Sequence, residues 1–119
     1  MAQHNELGKE GEKIAIDFLL KKGYKILETN YRYLKAEVDI IAKKGETLVA
    51  VEVKTRSSDY FENPQDAVND KKIKLIVSAT DYYVNDKDLD VEVRFDIIAI
   101  LIKNNKTKIE HLEDAFLHF

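Results

Sequence analysis

Two short stretches, Ala36-Glu37-Val38-Asp39-Ile40-Ile41-Ala42 and Val49-Ala50-Val51-Glu52-Val53-Lys54-Thr55-Arg56, set charged side chains inside runs of valine, isoleucine and alanine. Strand periodicity puts Ala50, Glu52, Lys54 and Arg56 on one face of the second stretch and Val49, Val51 and Val53 on the other. In the first stretch Glu37 and Asp39 share a face, with Val38, Ile40 and Ala42 opposite. If Lys44-Gly45 is a tight turn, Ala42 pairs with Thr47, Glu37 with Glu52, and Asp39 with Ala50. Asp39 then lies one diagonal step from Glu52, at a Cβ separation of about 7–8 Å or less. Carboxylates crowded across strands repel one another, and partial burial raises their pKa values. A bound divalent cation relieves both effects. Hard oxygen donors without nearby His or Cys suit Mg²⁺ or Mn²⁺ better than Zn²⁺. Lys54 adds a cation where a phosphate oxygen or an attacking water can sit, a layout suited to metal-assisted phosphodiester hydrolysis. The same charges also fit a solvated, salt-bridged outer face. Ile41, Leu48 and Ala50 share that face and speak for the first reading, but the residues alone leave both open.

The elements that must position these side chains can be read along the chain. Asn5 is a candidate N-cap and Gly23 a candidate stop for a first helix with an apolar stripe at Leu7, Ile14 and Phe18, flanked by Ala15 and Leu19. Gly8 and Gly11 on or beside that stripe weaken the helix by roughly 1 kcal/mol each relative to alanine, which points to close approach by another backbone. Glu12 lies between Leu19 and Ile16 on the helical wheel, beside the stripe; as a first-turn acid it also complements the helix dipole. Tyr24 to Tyr33, Ala36 to Ala42 and Thr47 to Thr55 read as strands, the last two joined across Lys43-Lys44-Gly45-Glu46. Ser57 to Glu62 reads as a polar loop carrying Tyr60 and Phe61. Asn63-Pro64 or Asn69 caps a second helix with Ile73, Ile76, Val77, Thr80 and Val84 at helical spacing. Val91 to Lys103 begins by alternating and becomes wholly apolar, as a strand covered on both faces does. Residues after Thr107 fit a short strand or helix at the edge. The order helix, three strands, helix, strand predicts an α/β sheet with helices on its faces.

Composition narrows the function classes. With 119 residues, 45% of them hydrophobic and 34% charged, the chain fits one domain spanning 1–119 with a buried core, which excludes intrinsic disorder. No apolar run is long enough to cross a bilayer, and no signal-peptide segment opens the chain, so no membrane partner is expected. Without cysteine there is no disulfide, no Cys-ligated zinc and no thiol nucleophile, and a reducing cytoplasm is the expected location. The net charge of −3 excludes nucleic-acid binding by bulk positive charge alone. Local candidates for phosphate contact are Lys43, Lys44, Arg56, Lys71, Lys72 and Lys74, each of which also reads as solvated surface. Tyr60 and Phe61 either stack on bases or fold back on the core. His4, His111 and His118 lie near the ends and receive no role.

Six segments occur in an order that resembles a known family: Gly8-Lys9-Glu10-Gly11-Glu12, Asn30-Tyr31-Arg32, Glu37 to Ala42, Val51 to Arg56, Ala67-Val68 with a following lysine, and Arg94-Phe95-Asp96. The chain resembles the YraN family of small bacterial endonuclease-like proteins. That family is similar to the archaeal Holliday junction resolvases of the PD-(D/E)xK, restriction-endonuclease-like superfamily. Ala36 stands where many relatives carry glycine. The resemblance implies a three-layer α/β/α core with a mixed sheet and a Mg²⁺- or Mn²⁺-dependent nuclease acting on DNA, with branched or otherwise structured DNA as the substrate and a homodimer as the assembly. It implies Asp39 and Glu52 as metal ligands, the backbone carbonyl of Val53 as another, Glu12 as the helix carboxylate completing the site, and Lys54 as the catalytic lysine. Glu37 takes a supporting part. The competing class is a catalytically inactive nuclease-fold module that binds nucleic acid or protein.

Overall fold

In the computed structural model, which describes residues 2–57 and 68–116, helix α1 (Ala2–Lys21) is longer than its sequence signals. It begins before Asn5, which is therefore inside the helix and not its N-cap, and Glu12 lies mid-helix, beyond the first turn whose dipole an acid could complement. Its end is the one expected. Gly23 adopts φ +92°, its N–H donates to the Leu20 carbonyl at 3.0 Å, and the Tyr24 N–H donates to the Leu19 carbonyl at 2.9 Å, the paired bonds of a glycine-terminated helix.

Strands β1 (Lys25–Tyr33), β2 (Ala36–Lys44) and β3 (Thr47–Arg56) form an antiparallel meander. Helix α2 (Asp70–Asp86) then carries the chain across to β4 (Glu92–Lys103), which pairs with β3 in parallel. Of the two candidate caps for α2, Asn69 takes the position, accepting the Lys72 N–H at 2.8 Å. Strand β5 (Lys106–Leu112) completes a mixed sheet in the order β1-β2-β3-β4-β5. Its turn, Asn104-Asn105, has both residues at positive φ, a type I′ hairpin geometry that asparagine tolerates. That pair is the signal for β5 in a region that otherwise reads as ambiguous.

The sheet is covered on both faces. Ala15 and Leu19 of α1 pack with Ile40, Ala42, Val49, Val51, Ile98 and Ile100, whereas Ile76, Ala79 and Tyr83 of α2 pack with Val38, Ile41, Leu48, Ala50, Phe95 and Ile97. This is the expected α/β/α layering, with one adjustment: the centre of the α1 stripe is Gly11, Ala15 and Leu19, and Ile14 and Phe18 form its flank. The close approach expected at the helix glycines is real at one of them. A Cβ on Gly11 would stand 2.9 Å from the Thr55 Cβ, a β3 side chain in place of the backbone anticipated, whereas one on Gly8 would meet nothing within 4 Å. Tyr60, Phe61, Pro64, Ala67 and His118 lie outside the described residues.

Candidate metal centre

The β2–β3 hairpin turns one residue later than the sequence pattern indicates. Lys44 pairs with Thr47, so the two-residue turn is Gly45-Glu46, with Gly45 at φ +60°. The expected register is corrected by two residues: Ala42 pairs with Val49, and Ile40 with Val51 is the last pair of the ladder. Beyond it the strands separate. The Val53 N–H, left without a strand carbonyl, donates to Oδ2 of Asp39 at 2.8 Å.

A second correction concerns which face Asp39 occupies. Val38 packs on the α2 side, yet Ile40 packs on the α1 side, so the alternation of β2 slips at Asp39. The neighbouring strand is distorted at the same level: the ladder passes from Tyr31–Val38 to Thr29–Ile40 in unchanged register while Asn30 between them adopts φ +52°, and its register shifts only further along, between Ile26 and Glu28. The two-residue repeat therefore does not put Glu37 and Asp39 on a common face. Asp39 sits at the crossover, within reach of groups from both layers. A left-handed asparagine is the device that makes this possible, since asparagine tolerates that conformation better than most residues.

Glu52 is buried, at 5% exposure, on the α2 side of β3. It meets Asp39, and the Asp39 carboxyl is pushed up to about 7: burial is the main cause, followed by the hydrogen bond and charge of Glu52, with the Val53 N–H and the Lys72 ammonium pulling the other way. Lys72 Nζ, from the first turn of α2, stands 2.6 Å from Oε2 of Glu52. Its approach compensates charge but is poorly aligned for hydrogen bonding, and Oε2 remains a buried acceptor without an aligned donor.

Glu12 reaches the same region from α1. Asn30 Nδ2 donates to its Oε1 at 3.1 Å, so the residue that kinks β1 also holds the helix carboxylate. The Glu12 pKa is raised, first by burial and further by the charges of Asp39 and Glu37, against the lowering effect of Asn30. Glu37 itself pairs with Arg32 at 3.1 Å on the partly exposed rim. Lys54 is half-buried two residues beyond Glu52, beside Ala99 of β4. Of the four expected site residues, Asp39 and Glu52 are in contact, Glu12 lies within electrostatic range, and Lys54 follows Glu52 on the same strand face. Among the described residues no group of three or more His, Cys, Asp or Glu side chains is gathered closely enough to hold a metal ion. Mg²⁺ commonly binds through one or two carboxylates and keeps several waters, so the hard oxygens of the Asp39–Glu52 pair fit such an ion.

A model of the Uncharacterised protein family UPF0102 matches residues 11–100. The chain belongs to the UPF0102 family. It is 61% identical over 119 residues to a UPF0102 protein of Christiangramia forsetii and 59% identical over 119 residues to UPF0102 protein FP2501 of Flavobacterium psychrophilum, covering 100% of both chains in each case. A UPF0102 protein of Thermodesulfovibrio yellowstonii is 52% identical over 111 residues, covering 93% of this chain and 96% of the relative. The UPF0102 match contains Glu12, Asn30, Asp39, Glu52, Lys54 and Lys72 and ends within β4.

A second buried carboxylate, on the α1 side of this UPF0102 sheet, was given no role by the sequence pattern. Asp96 is fully buried in β4. Arg94 grips it through Nε and Nη2, both at 2.9 Å, His111 Nε2 donates at 2.7 Å, and the Asp114 N–H donates at 3.0 Å. Arg94 also donates to the Tyr24 hydroxyl at 2.6 Å, and Lys22 Nζ stands 3.1 Å from Nδ1 of His111. Burial would raise the Asp96 pKa, but His111, Arg94 and Asp114 together hold it below the ordinary aspartate value. His111, which sequence reading left unassigned, thus ties the edge strand and the end of α1 to the sheet centre.

Proposed function

We propose that this protein is a cytoplasmic, divalent-metal-dependent nuclease of the PD-(D/E)xK type that hydrolyses DNA phosphodiester bonds. The observation that carries the reading is the Asp39–Glu52 pair: a half-buried and a buried carboxylate in contact at the point where two strands part, with the Lys72 ammonium beside the buried one. Asp39 and Glu52, with the Val53 carbonyl and Glu12, are the groups that would hold Mg²⁺ or Mn²⁺. When bound, such an ion polarises the phosphate and makes a water nucleophilic at neutral pH. Lys54, on the face of Glu52, orients that water and offsets charge developing on the phosphate oxygens. Branched or otherwise structured DNA as substrate, and a homodimer offering a site to each of two strands, follow from the resemblance to the junction resolvases.

A second reading, a nuclease-fold module that binds without cutting, is favoured by one observation: among the described residues no three metal-ligating side chains are gathered in advance. Cleavage of linear, flapped and four-way DNA with Mn²⁺ separates the two. Wild type should cut, and Lys54→Ala should lose cleavage by orders of magnitude while keeping its Mn²⁺-induced rise in melting temperature. Lys54→Arg should fail as well, because a guanidinium differs in geometry and stays protonated. Equal cleavage by wild type and Lys54→Ala would remove the lysine from the mechanism. Metal stabilisation with no cleavage by any form favours the binding module.

A further inference from the structure

The face that carries Glu52 and Lys54 does not stop at β3. In the parallel β3–β4 ladder Glu52 pairs with Ile97, Lys54 with Ala99 and Arg56 with Leu101; in the antiparallel β4–β5 ladder Leu101 pairs with Lys108 and Lys103 with Lys106. Partners across a ladder project to the same side, so Lys54, Arg56, Lys103, Lys106 and Lys108 share one face. On β5 that face adds one acid, Glu110, opposite Ala99. The apolar cover from α2 and Phe116 reaches Phe95 and Ile97, and beyond them Ala99, Leu101 and Lys103 are half-buried while Lys106 and Lys108 are exposed. An open groove of about 460 Å³ is lined by Leu101, Lys103, Asn104, Lys106, Thr107 and Lys108.

Like charges directly across an antiparallel pair destabilise it, yet Lys103 faces Lys106 next to the hairpin turn. Lysines on an edge strand also deter edge-to-edge pairing, but that purpose is served on either face and by either sign. Here the opposite face of β5 carries Thr107, Ile109 and His111, and the lysines fall only on the side continuous with Lys54. In a chain whose net charge is −3, this is charge arranged along a line.

We propose that the β4–β5 hairpin is the arm that holds the nucleic-acid backbone, with Lys103, Lys106 and Lys108 gripping successive phosphates on a track that leads over Arg56 to Lys54 and Glu52. The inference deepens the nuclease reading and rests on it. From the level of Glu52 to Lys103 the track runs about 20 Å at roughly 3.3 Å per strand residue, the length of about six base steps of duplex. Lys103, Lys106 and Lys108 all lie beyond the residues 11–100 matched by the family model.

The test is fluorescence anisotropy of a labelled 20-base-pair duplex across a salt series, without divalent ions. It uses wild type, the triple variant Lys103→Gln, Lys106→Gln, Lys108→Gln, and a control triple variant on exposed α1 lysines, Lys9→Gln, Lys13→Gln, Lys21→Gln. Melting temperatures establish that all three proteins are folded. The hairpin variant should bind at least about tenfold more weakly at low salt, and its log–log salt slope should shrink by about 2.7, or 0.9 for each lost phosphate contact. The α1 control should keep wild-type affinity and slope. Unchanged binding by the hairpin variant, equal loss in the control, or no salt-dependent binding by wild type would each overturn the proposal. Mn²⁺ stabilisation measured in parallel keeps the two claims apart. Loss of slope without any metal effect leaves the arm standing and removes the nuclease reading; metal-dependent cleavage with an unchanged slope does the reverse.

Discussion

Two regions of the sheet take an aspartate out of water, Asp96 fully and Asp39 in part, and they treat it in opposite ways. Asp96 receives four donors: two from Arg94, one from His111 and one from the Asp114 backbone. Asp39 receives one backbone N–H and faces a second carboxylate, whose own counter-ion approaches off axis. Burial acts in the same direction on both, raising the pKa. At Asp96 the donors outweigh it and the pKa is lowered; at Asp39 they do not, and the pKa is pushed up to about 7. The chain therefore has the means to satisfy a buried carboxylate where it needs a strut. The strain left at Asp39 and Glu52 is not a limit of the fold. On the proposed reading it marks the place where a cation from solution adds to the single positive charge of Lys72.

If this contrast holds, mutation should act with opposite signs in the two regions. The largest effect is expected at the satisfied site. Asp96→Ala leaves Arg94 and His111 without their anion, and breaking a buried ion pair in this way costs about 3–5 kcal/mol, readable by urea denaturation. Because the Asp96 pKa is lowered on folding, its contribution is present above the unfolded-state range and is lost as pH falls through the folded value. Acid unfolding should therefore begin at higher pH once Asp96 is removed.

The contact between helix and sheet comes next. Gly11→Ala forces a methyl group onto Thr55 and should cost about 1–3 kcal/mol as overpacking. The same substitution should weaken Mn²⁺ binding, because it displaces the helix that carries Glu12.

Asp39→Asn should have the reverse sign. With the folded pKa raised, the ionisation penalty is absent below about 3.8, grows through the interval, and is complete above about 7. At pH 8 the metal-free variant should therefore be more stable than wild type by more than about 1 kcal/mol, the worth of one pKa unit. At pH 4 the difference should nearly vanish. A variant less stable than wild type at pH 8 would place Asp39 with Asp96 as a structural group. The smallest effect is at Gly8, where a Cβ meets nothing: Gly8→Ala should stabilise by up to about 1 kcal/mol through helix propensity.

The layers and strands were legible because they rest on periodic burial. Gly23, Gly45 and Asn69 punctuated the elements as their conformations require, and the apolar run of β4 announced a strand covered on both sides. Asp39 and Glu52 stood out as charges inside apolar strand patterns, whereas Glu12 entered through the family resemblance. The register was not legible, because the two-residue turn falls at Gly45-Glu46 and not at Lys44-Gly45, and neither was the face of Asp39. Strict alternation cannot foresee the distortion at Asn30, whose left-handed backbone is one residue's local choice, made against the pattern of both strands. The carboxylate partners of Lys72 and His111 were illegible for a different reason. Each meets its carboxylate across a long sequence separation, and a lysine in a helix's first turn or a histidine near the end of the chain looks like surface until the layers close.

The central claim, that the unsatisfied pair is a cation site, is tested most directly by melting wild type and Asp39→Asn at pH 8 across a Mn²⁺ titration. Wild type should gain stability by mass action, about 2.7 kcal/mol when free Mn²⁺ reaches a hundred times its dissociation constant, while Asp39→Asn, already stabilised without metal, should gain nothing. An equal Mn²⁺-induced shift in both proteins, or none in wild type, would contradict the account.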